Sequence, residues 1–207
     1  MKLSIKYGGL SMKRVLVMGI NNLVGQALLE MIKKIDDSEL QFMFIDNDVA
    51  GKNAKIDFQS ADQLAPKLKL ADILVINTVD WDADYMLDAI IDAIEMQTIN
   101  LDKIIFRTVA GVNDEYPLEK IQIAKKDPVE FIKQQQYAGK LVDESEIPYT
   151  IIRPSNIAET TGPDYKLIEE GQSMQDAKDV SAHSVAKVMM QAIQTNDLLN
   201  QSIGICG

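Results

Sequence analysis

A chain of 207 residues is long enough to bury one sizeable core, which predicts a single domain. With 46% apolar and 25% charged residues, and no apolar run near the roughly 20 residues that a bilayer span needs, it does not have a membrane protein's composition. A net charge of −10 opposes polyanions, because nucleic-acid sites gather Lys and Arg to neutralise phosphates, so DNA, RNA and acidic lipid are poor partners.

Cys206 is the only cysteine, which rules out an internal disulfide and suits a reducing, cytoplasmic compartment; nothing beside it would lower its pKa, so it reads as an inert thiol. Residues 1–11 lack the apolar centre and cleavage site of a signal peptide, which argues against export. Gly8 and Gly9 can be encoded by a purine-rich GGAGG stretch just upstream of Met12. The expectation is therefore a natural start at Met12, with residues 1–11 a non-native, poorly ordered extension before a domain of residues 12–207.

From Lys13 onward, strand-like apolar runs alternate with helical patterns, the sign of a parallel sheet flanked by helices. Residues 14–18 (Arg-Val-Leu-Val-Met) form an unbroken run suited to a strand buried on both faces. From Asn22 the spacing turns helical, with Val24, Ala27, Leu28, Met31 and Ile32 on one face. Residues 41–45 read as the second strand and residues 54–57 as a short third. Ser60 is placed to cap a brief helix bent or ended by Pro66. Residues 73–76 are the fourth strand, followed by a helix that turns Met86, Ala89, Ile90, Ala93 and Ile94 inward, and residues 104–106 are the fifth. Asp127-Pro128-Val129-Glu130 starts a helix running to about Ser145, with Asp as cap and Pro in the first turn. Residues 149–152 are the sixth strand, stopped by Pro154; Val185, Val188, Met189, Ala192 and Ile193 mark the last helix, and residues 202–206 a final strand. Residues 155–180 have weak periodicity and read as the most mobile segment. The fold class is α/β: a three-layer, doubly wound, mostly parallel sheet in one domain.

The strongest chemical signal is Gly19-Ile-Asn-Asn-Leu-Val-Gly25, where a strand gives way to a helix. A dinucleotide pyrophosphate suits such a turn, because backbone N–H groups and the positive helix end face it. Gly19, Asn21, Asn22, Leu23, Val24 and Gly25 are the candidate phosphate-binding residues. Asn22 stands where a middle glycine would let the backbone approach phosphate; Asn tolerates a left-handed backbone and can cap the helix. A tight strand-to-helix turn without ligand would read the same way.

Asp46 ends the second strand about 20 residues past Gly25, where a carboxylate can accept hydrogen bonds from ribose hydroxyls. A 2′-phosphate would be repelled there, which favours NAD over NADP. Asp46 and Asn47 equally suit a polar turn after a strand.

The stretch 12–207 resembles the atypical short-chain dehydrogenase/reductases, specifically the NAD(P)H-binding, NmrA-like group of Rossmann-fold proteins. The glycine turn, residues 104–112 (Ile-Ile-Phe-Arg-Thr-Val-Ala-Gly-Val), residues 149–154 (Tyr-Thr-Ile-Ile-Arg-Pro) and residues 180–186 (Val-Ser-Ala-His-Ser-Val-Ala) carry the resemblance. It implies that Asp57 and Phe58 sit near the adenine, that Asn77, Thr78 and Val79 line the cofactor, and that Pro154, Ser155, Asn156 and Ile157 approach the nicotinamide end. It also puts Thr108 where a hydroxyl often bonds the substrate carbonyl.

Active members of that family place a Tyr four residues before a Lys that lowers the phenol's pKa. Counted back from Tyr149, those positions fall near Phe131 and Gln135, neither of which can do that chemistry. Tyr137 and Lys140 are three apart and read as a solvated helix face. His183, the sole histidine, has no acid or cysteine nearby and reads as structural; no metal site is expected.

These readings lead to an NAD(P)-dependent oxidoreductase whose acceptor needs little acid catalysis, such as a quinone or flavin. The alternative is a non-catalytic sensor of the dinucleotide's redox state. A third is a domain that keeps the shape and has lost the ligand, for which Asn22 speaks. With only residues 155–180 left to shape a pocket, the expected substrate is a small molecule; the oligomeric state is left open.

Overall fold

The computed structural model describes residues 12–35, 39–46, 56–123, 126–159, 162 and 164–207; the expected extension of residues 1–11 lies outside them. In chain order the elements are β1 (Lys13–Met18), α1 (Leu23–Ile32), β2 (Leu40–Ile45), α2 (Ala61–Leu68), β3 (Ile73–Ile76), α3 (Ala83–Met96), β4 (Lys103–Arg107), α4 (Pro128–Glu144), β5 (Tyr149–Pro154), β6 (Ile157–Ala158), β7 (Lys166–Ile168), β8 (Val180–Ser181), α5 (Ala182–Gln194) and β9 (Gln201–Cys206).

Side chains alternate across a strand, and β1 uses that alternation to serve two cores. Leu16 and Met18 pack with Leu64 and Leu68 of α2, Leu87 and Ile90 of α3, and Ala138 and Val142 of α4. Val15 and Val17 pack on the opposite face with Val24 and Leu28 of α1 and with Val185, Val188 and Met189 of α5. Burial on both faces is why the run is continuously apolar.

The main sheet has the order β2-β1-β3-β4-β5-β9-β7. Its neighbours are parallel except β7, which runs antiparallel to β9. This is the three-layer, doubly wound, single-domain α/β fold expected from the alternation. After β1 the chain moves outward to β2 and then crosses to β3 on the other side, so the strand order reverses at β1. A crevice opens there, above the carboxyl ends of β1 and β3.

Several local readings shift. The strand expected at residues 54–57 falls partly outside the described residues; Ile56 and Asp57 lie in no strand, and the Asp57 amide instead donates to Gln63 Oε1 at 3.0 Å in the turn before α2. Ser60 occupies the cap position of α2 without a side-chain cap bond; its carbonyl accepts from Gln63 and Leu64. Helix α2 runs through Pro66 to Leu68, because Pro66 and Asp62, whose carbonyl loses the donor, both lie on the exposed side. At α4, Asp127 Oδ1 caps the Glu130 amide at 3.1 Å and Pro128 opens the helix, as read. Strand β5 continues to Pro154, paired with Ile205 of β9. The weakly periodic stretch 155–180 holds β6, β7 and β8, each too short to show a period. Among the described residues no helix is long and apolar enough to cross a membrane.

At the amino end of the sheet, Arg14 grips Asp72 with Nε at 3.0 Å and Nη2 at 2.9 Å, and its amide adds a third bond at 2.8 Å. These bonds hold the Asp72 carboxyl at about 2, below its usual 3.8. A carboxyl depressed on folding contributes stability that is present above its unfolded value and lost as pH falls through the folded one. Partial exposure screens the effect, so Asp72→Asn is expected to cost about 1 kcal/mol at neutral pH. In urea unfolding, the gap between wild type and variant should close as pH drops from 3.8 towards about 2.

Candidate functional site

The glycine turn begins where β1 ends. Gly19 has φ +83°, and a Cβ there would lie 2.4 Å from Thr78 Oγ1 and 2.9 Å from the Thr78 amide, so both the dihedral and the close approach of β3 require glycine. A Cβ on Gly25 would meet Ile20 Cα at 2.6 Å, which explains how α1 starts tight against the turn.

Asn22 differs from expectation in its backbone. Its φ of −137° is extended, so the left-handed residue of the turn is Gly19. Its side chain does cap the helix: Oδ1 accepts from the Gly25 amide at 3.0 Å, while Nδ2 donates to the Gly19 and Asn77 carbonyls at 3.1 and 3.2 Å. The asparagine thus ties the turn to β3 and engages the third amide of α1, leaving those of Leu23 and Val24 at the helix's positive end. Asp46 Oδ2 accepts from the Ile20 and Asn21 amides at 2.8 and 3.0 Å, which seats a carboxylate at the rim of the crevice. Asn47 lies outside the described residues.

Asn77 at the end of β3 is fully buried and connects two regions. Its Nδ2 donates to the Gly19 carbonyl at 2.6 Å and to Asn22 Oδ1 at 3.1 Å. Its Oδ1 and carbonyl accept from Arg107 Nε and Nη2 at 2.5 and 2.6 Å. Arg107, at the end of β4, is 5% exposed, and burial lowers its pKa to about 9. Thr78 Oγ1 is buried and unpartnered among the described residues. An orphan hydroxyl beside the glycine turn is a feature a bound phosphate would satisfy.

Beyond Arg107 lies a cleft of about 160 Å³. Pro154, Ser155, Asn156 and Ile157 form one wall, and Tyr116 with the segment after β4 forms the other. Ser155 Oγ donates to the Lys178 carbonyl at 2.7 Å. Asn156 holds the mouth: Nδ2 donates to Tyr116 Oη at 3.1 Å and to the Lys120 carbonyl at 2.8 Å, and Oδ1 accepts from the Gln122 amide at 3.0 Å. Burial and the nearby Asp179 charge push the Tyr116 phenol's pKa up. Lys120 Nζ lies 5.9 Å from the centre of the Tyr116 ring and donates to the Gln175 carbonyl at 2.5 Å.

Sequence reasoning misses Tyr116, Lys120 and Arg107. The signals are present: Tyr116 and Lys120 are four residues apart, and Arg107 is a charge ending an apolar strand. The first escapes notice because the pair precedes α4, whereas the resemblance directs attention to the helix itself.

The structure gathers Gly19, Asn21, Asn22, Leu23, Val24, Gly25, Asp46, Asn77 and Thr78 around the crevice, and Asn77 and Arg107 link them to the cleft at residues 154–157. Val79 packs beside Tyr116 and Phe131 in a separate apolar cluster. Other residues are placed elsewhere. Phe58 is buried in the core beside α2, and Asp57 is exposed with Oδ1 accepting from the Gln59 amide at 2.9 Å. The Thr108 hydroxyl is buried and donates to Gln135 Oε1 at 3.0 Å, and Gln135 Nε2 donates to the Asp80 carbonyl at 2.8 Å. Phe131 is buried edge-on against Trp81 with ring centres 5.3 Å apart. Tyr137 is exposed, and Lys140 pairs with Glu144 at 3.5 Å. His183 is exposed on α5, and burial raises the pKa of the Cys206 thiol.

Comparisons with known proteins agree with this geometry. A family described as NAD(P)H-binding matches residues 40–196, from β2 to beyond α5. No curated protein matched significantly. Among solved structures, a Rossmann-fold NAD(P)-binding family protein from Shigella flexneri is 20% identical with a TM-score of 0.73, over 94% of this chain and 93% of that one. A short-chain dehydrogenase/reductase from Veillonella parvula in complex with NADP is 19% identical with a TM-score of 0.71, over 94% of both chains. An anaerobillin reductase from Escherichia coli is 16% identical with a TM-score of 0.66, over 93% of this chain and 96% of that one. At these identities the structures establish a shared fold, and the family match establishes the rest: the chain belongs to the NAD(P)H-binding family of Rossmann-fold proteins.

Proposed function

We propose that the protein is a nicotinamide-dinucleotide-dependent reductase of a small molecule, with NAD favoured over NADP. The observation that carries this reading is the unbroken hydrogen-bonded path from the glycine turn through Asn77 and Arg107 to a cleft walled by Tyr116 and Asn156. In this reading the Leu23 and Val24 amides and the Thr78 hydroxyl hold the pyrophosphate, with Asn21 beside them. Asp46, with Asn47, receives the ribose, and its charge disfavours a 2′-phosphate. Val79 with residues 154–157 stands at the nicotinamide end.

The bound nicotinamide would supply a hydride. Tyr116 supplies the proton: Asn156 Nδ2 donates to the phenol oxygen, which leaves the O–H to point at a substrate oxygen in the cleft. A raised pKa keeps that proton in place at neutral pH. Once the proton is given up, the Asn156 N–H and the Lys120 charge stabilise the phenolate until water returns it. Thr108, bonded to Gln135, contacts substrate only by exchanging that bond. Carbonyl and quinone acceptors both suit this chemistry, since each takes a hydride and a proton. The single cysteine favours a cytoplasmic setting.

Calorimetric titration with NADH and NADPH, followed by nucleotide oxidation against quinones, flavin and small carbonyls, tests the reading. NADH is expected to bind more tightly than NADPH, and Tyr116→Phe to lower kcat by about 10²-fold with little change in NADH affinity. No heat with either nucleotide ends the proposal. Tight binding without turnover on any acceptor turns it to the sensor reading.

A further inference from the structure

The chain has three arginines, and two of them answer a carboxylate. Arg14 pairs with Asp72, and Arg153 pairs with Glu115 inside the core. Arg107 is nearly as buried as Arg153, yet no carboxylate reaches it among the described residues. Its partners are the two oxygens of Asn77, both neutral, and Nη1 has no hydrogen-bond partner among the described residues. Burying a cation without a counter-charge is costly, so a fold that keeps one has a reason outside the protein's own charges.

We propose that Arg107 is an anion anchor, its open guanidinium edge binding an oxyanion on the floor of the cleft, foremost the carboxylate of a small acid whose apolar body rests on Val109, Ile121, Ile123 and Ile157. These residues line the same cleft as Arg107. A planar guanidinium suits a planar carboxylate because two parallel N–H bonds form at once. Asn77 fixes the Nε and Nη2 side of the guanidinium, so the edge presented to the cleft is pre-aimed. The same chemistry would serve a phosphate oxygen of the dinucleotide, since Asn77 also touches the glycine turn. The choice of a small acid as substrate rests on the reductase reading; the anchor itself does not.

The probes are benzoylformate, its neutral methyl ester and inorganic pyrophosphate, each titrated by NMR into nucleotide-free and NADH-saturated protein. The acid is expected to bind about tenfold more tightly than the ester. Arg107→Gln should erase that preference and Arg107→Lys should keep part of it, the ratio of acid to ester affinity being the readout. If the Gln variant instead lowers pyrophosphate and NADH affinity by about tenfold, with no acid preference in wild type, the anchored oxyanion is the cofactor's own. A wild type that neither prefers acid to ester nor binds pyrophosphate through Arg107 overturns the proposal, and this measurement stands even where the Gln variant does not fold. An acid preference without any NADH binding keeps the anchor and removes only the reductase reading.

Discussion

Replacing Glu115 by alanine is expected to lower the unfolding free energy by about 3–5 kcal/mol. Arg153 is 0% and Glu115 3% exposed at the side chain, so the pair lies beyond the reach of solvent screening. Glu115 Oε1 accepts from Arg153 Nη1, its Oε2 accepts from the Asn113 amide at 2.9 Å, and its carbonyl accepts from the Met174 amide at 2.7 Å. Arg153 has one other bond, from Nη2 to the Ser202 carbonyl at 3.3 Å, and its Nε is already without a partner among the described residues. Truncating the glutamate leaves a guanidinium in the core with almost nothing to answer its charge. Urea unfolding of Glu115→Ala measures the cost, and a loss under about 1 kcal/mol would mean the pair is solvated. The double replacement Glu115→Leu with Arg153→Met removes both charges and should recover much of the loss. Because Glu115 immediately precedes Tyr116, the single variant should also loosen the wall of the cleft and reduce turnover.

Gly19→Ala is expected to weaken NADH binding by about tenfold or more and to cost about 2–4 kcal/mol of stability. Two effects add. A φ of +83° is unfavourable for any residue with a Cβ, and the new methyl would stand 2.4 Å from Thr78 Oγ1. Relief of the collision must push the turn away from β3, which moves the amides and the orphan hydroxyl out of register with a phosphate. Gly171 separates the two effects: its φ is +81°, and a methyl there would meet nothing within 4 Å. Gly171→Ala should therefore show dihedral strain alone, about 1 kcal/mol, and leave NADH affinity unchanged. Thermal unfolding and calorimetry on both variants make the comparison. Equal losses at the two positions would show that the contact with Thr78 contributes nothing.

The elements legible in the sequence are those whose pattern reports a local environment. Residues 15–18 of β1 and all of β3 read as strand because burial on both faces leaves no polar position there, and α1, α3 and α5 read as helices because one face in every turn is apolar. Gly19 and Gly25 are legible for a similar reason, since a tight turn between strand and helix leaves few choices of residue. Strands β6, β7 and β8 are not legible: two or three residues cannot display a period, and their pairing is decided by where β9 and the end of β5 place them.

The sequence by itself determined the alternating α/β plan, the buried strands and the tight glycine turn between β1 and α1, because each depends on residues close together along the chain. Tertiary structure alone decided which polar side chains meet. Arg107 finds Asn77 across 30 residues, Arg153 finds Glu115 across 38, and Asn156 finds Tyr116 across 40. A side chain's hydrogen-bond partner is set by distances of a few ångströms between strand ends, and those distances exist only once the sheet has assembled.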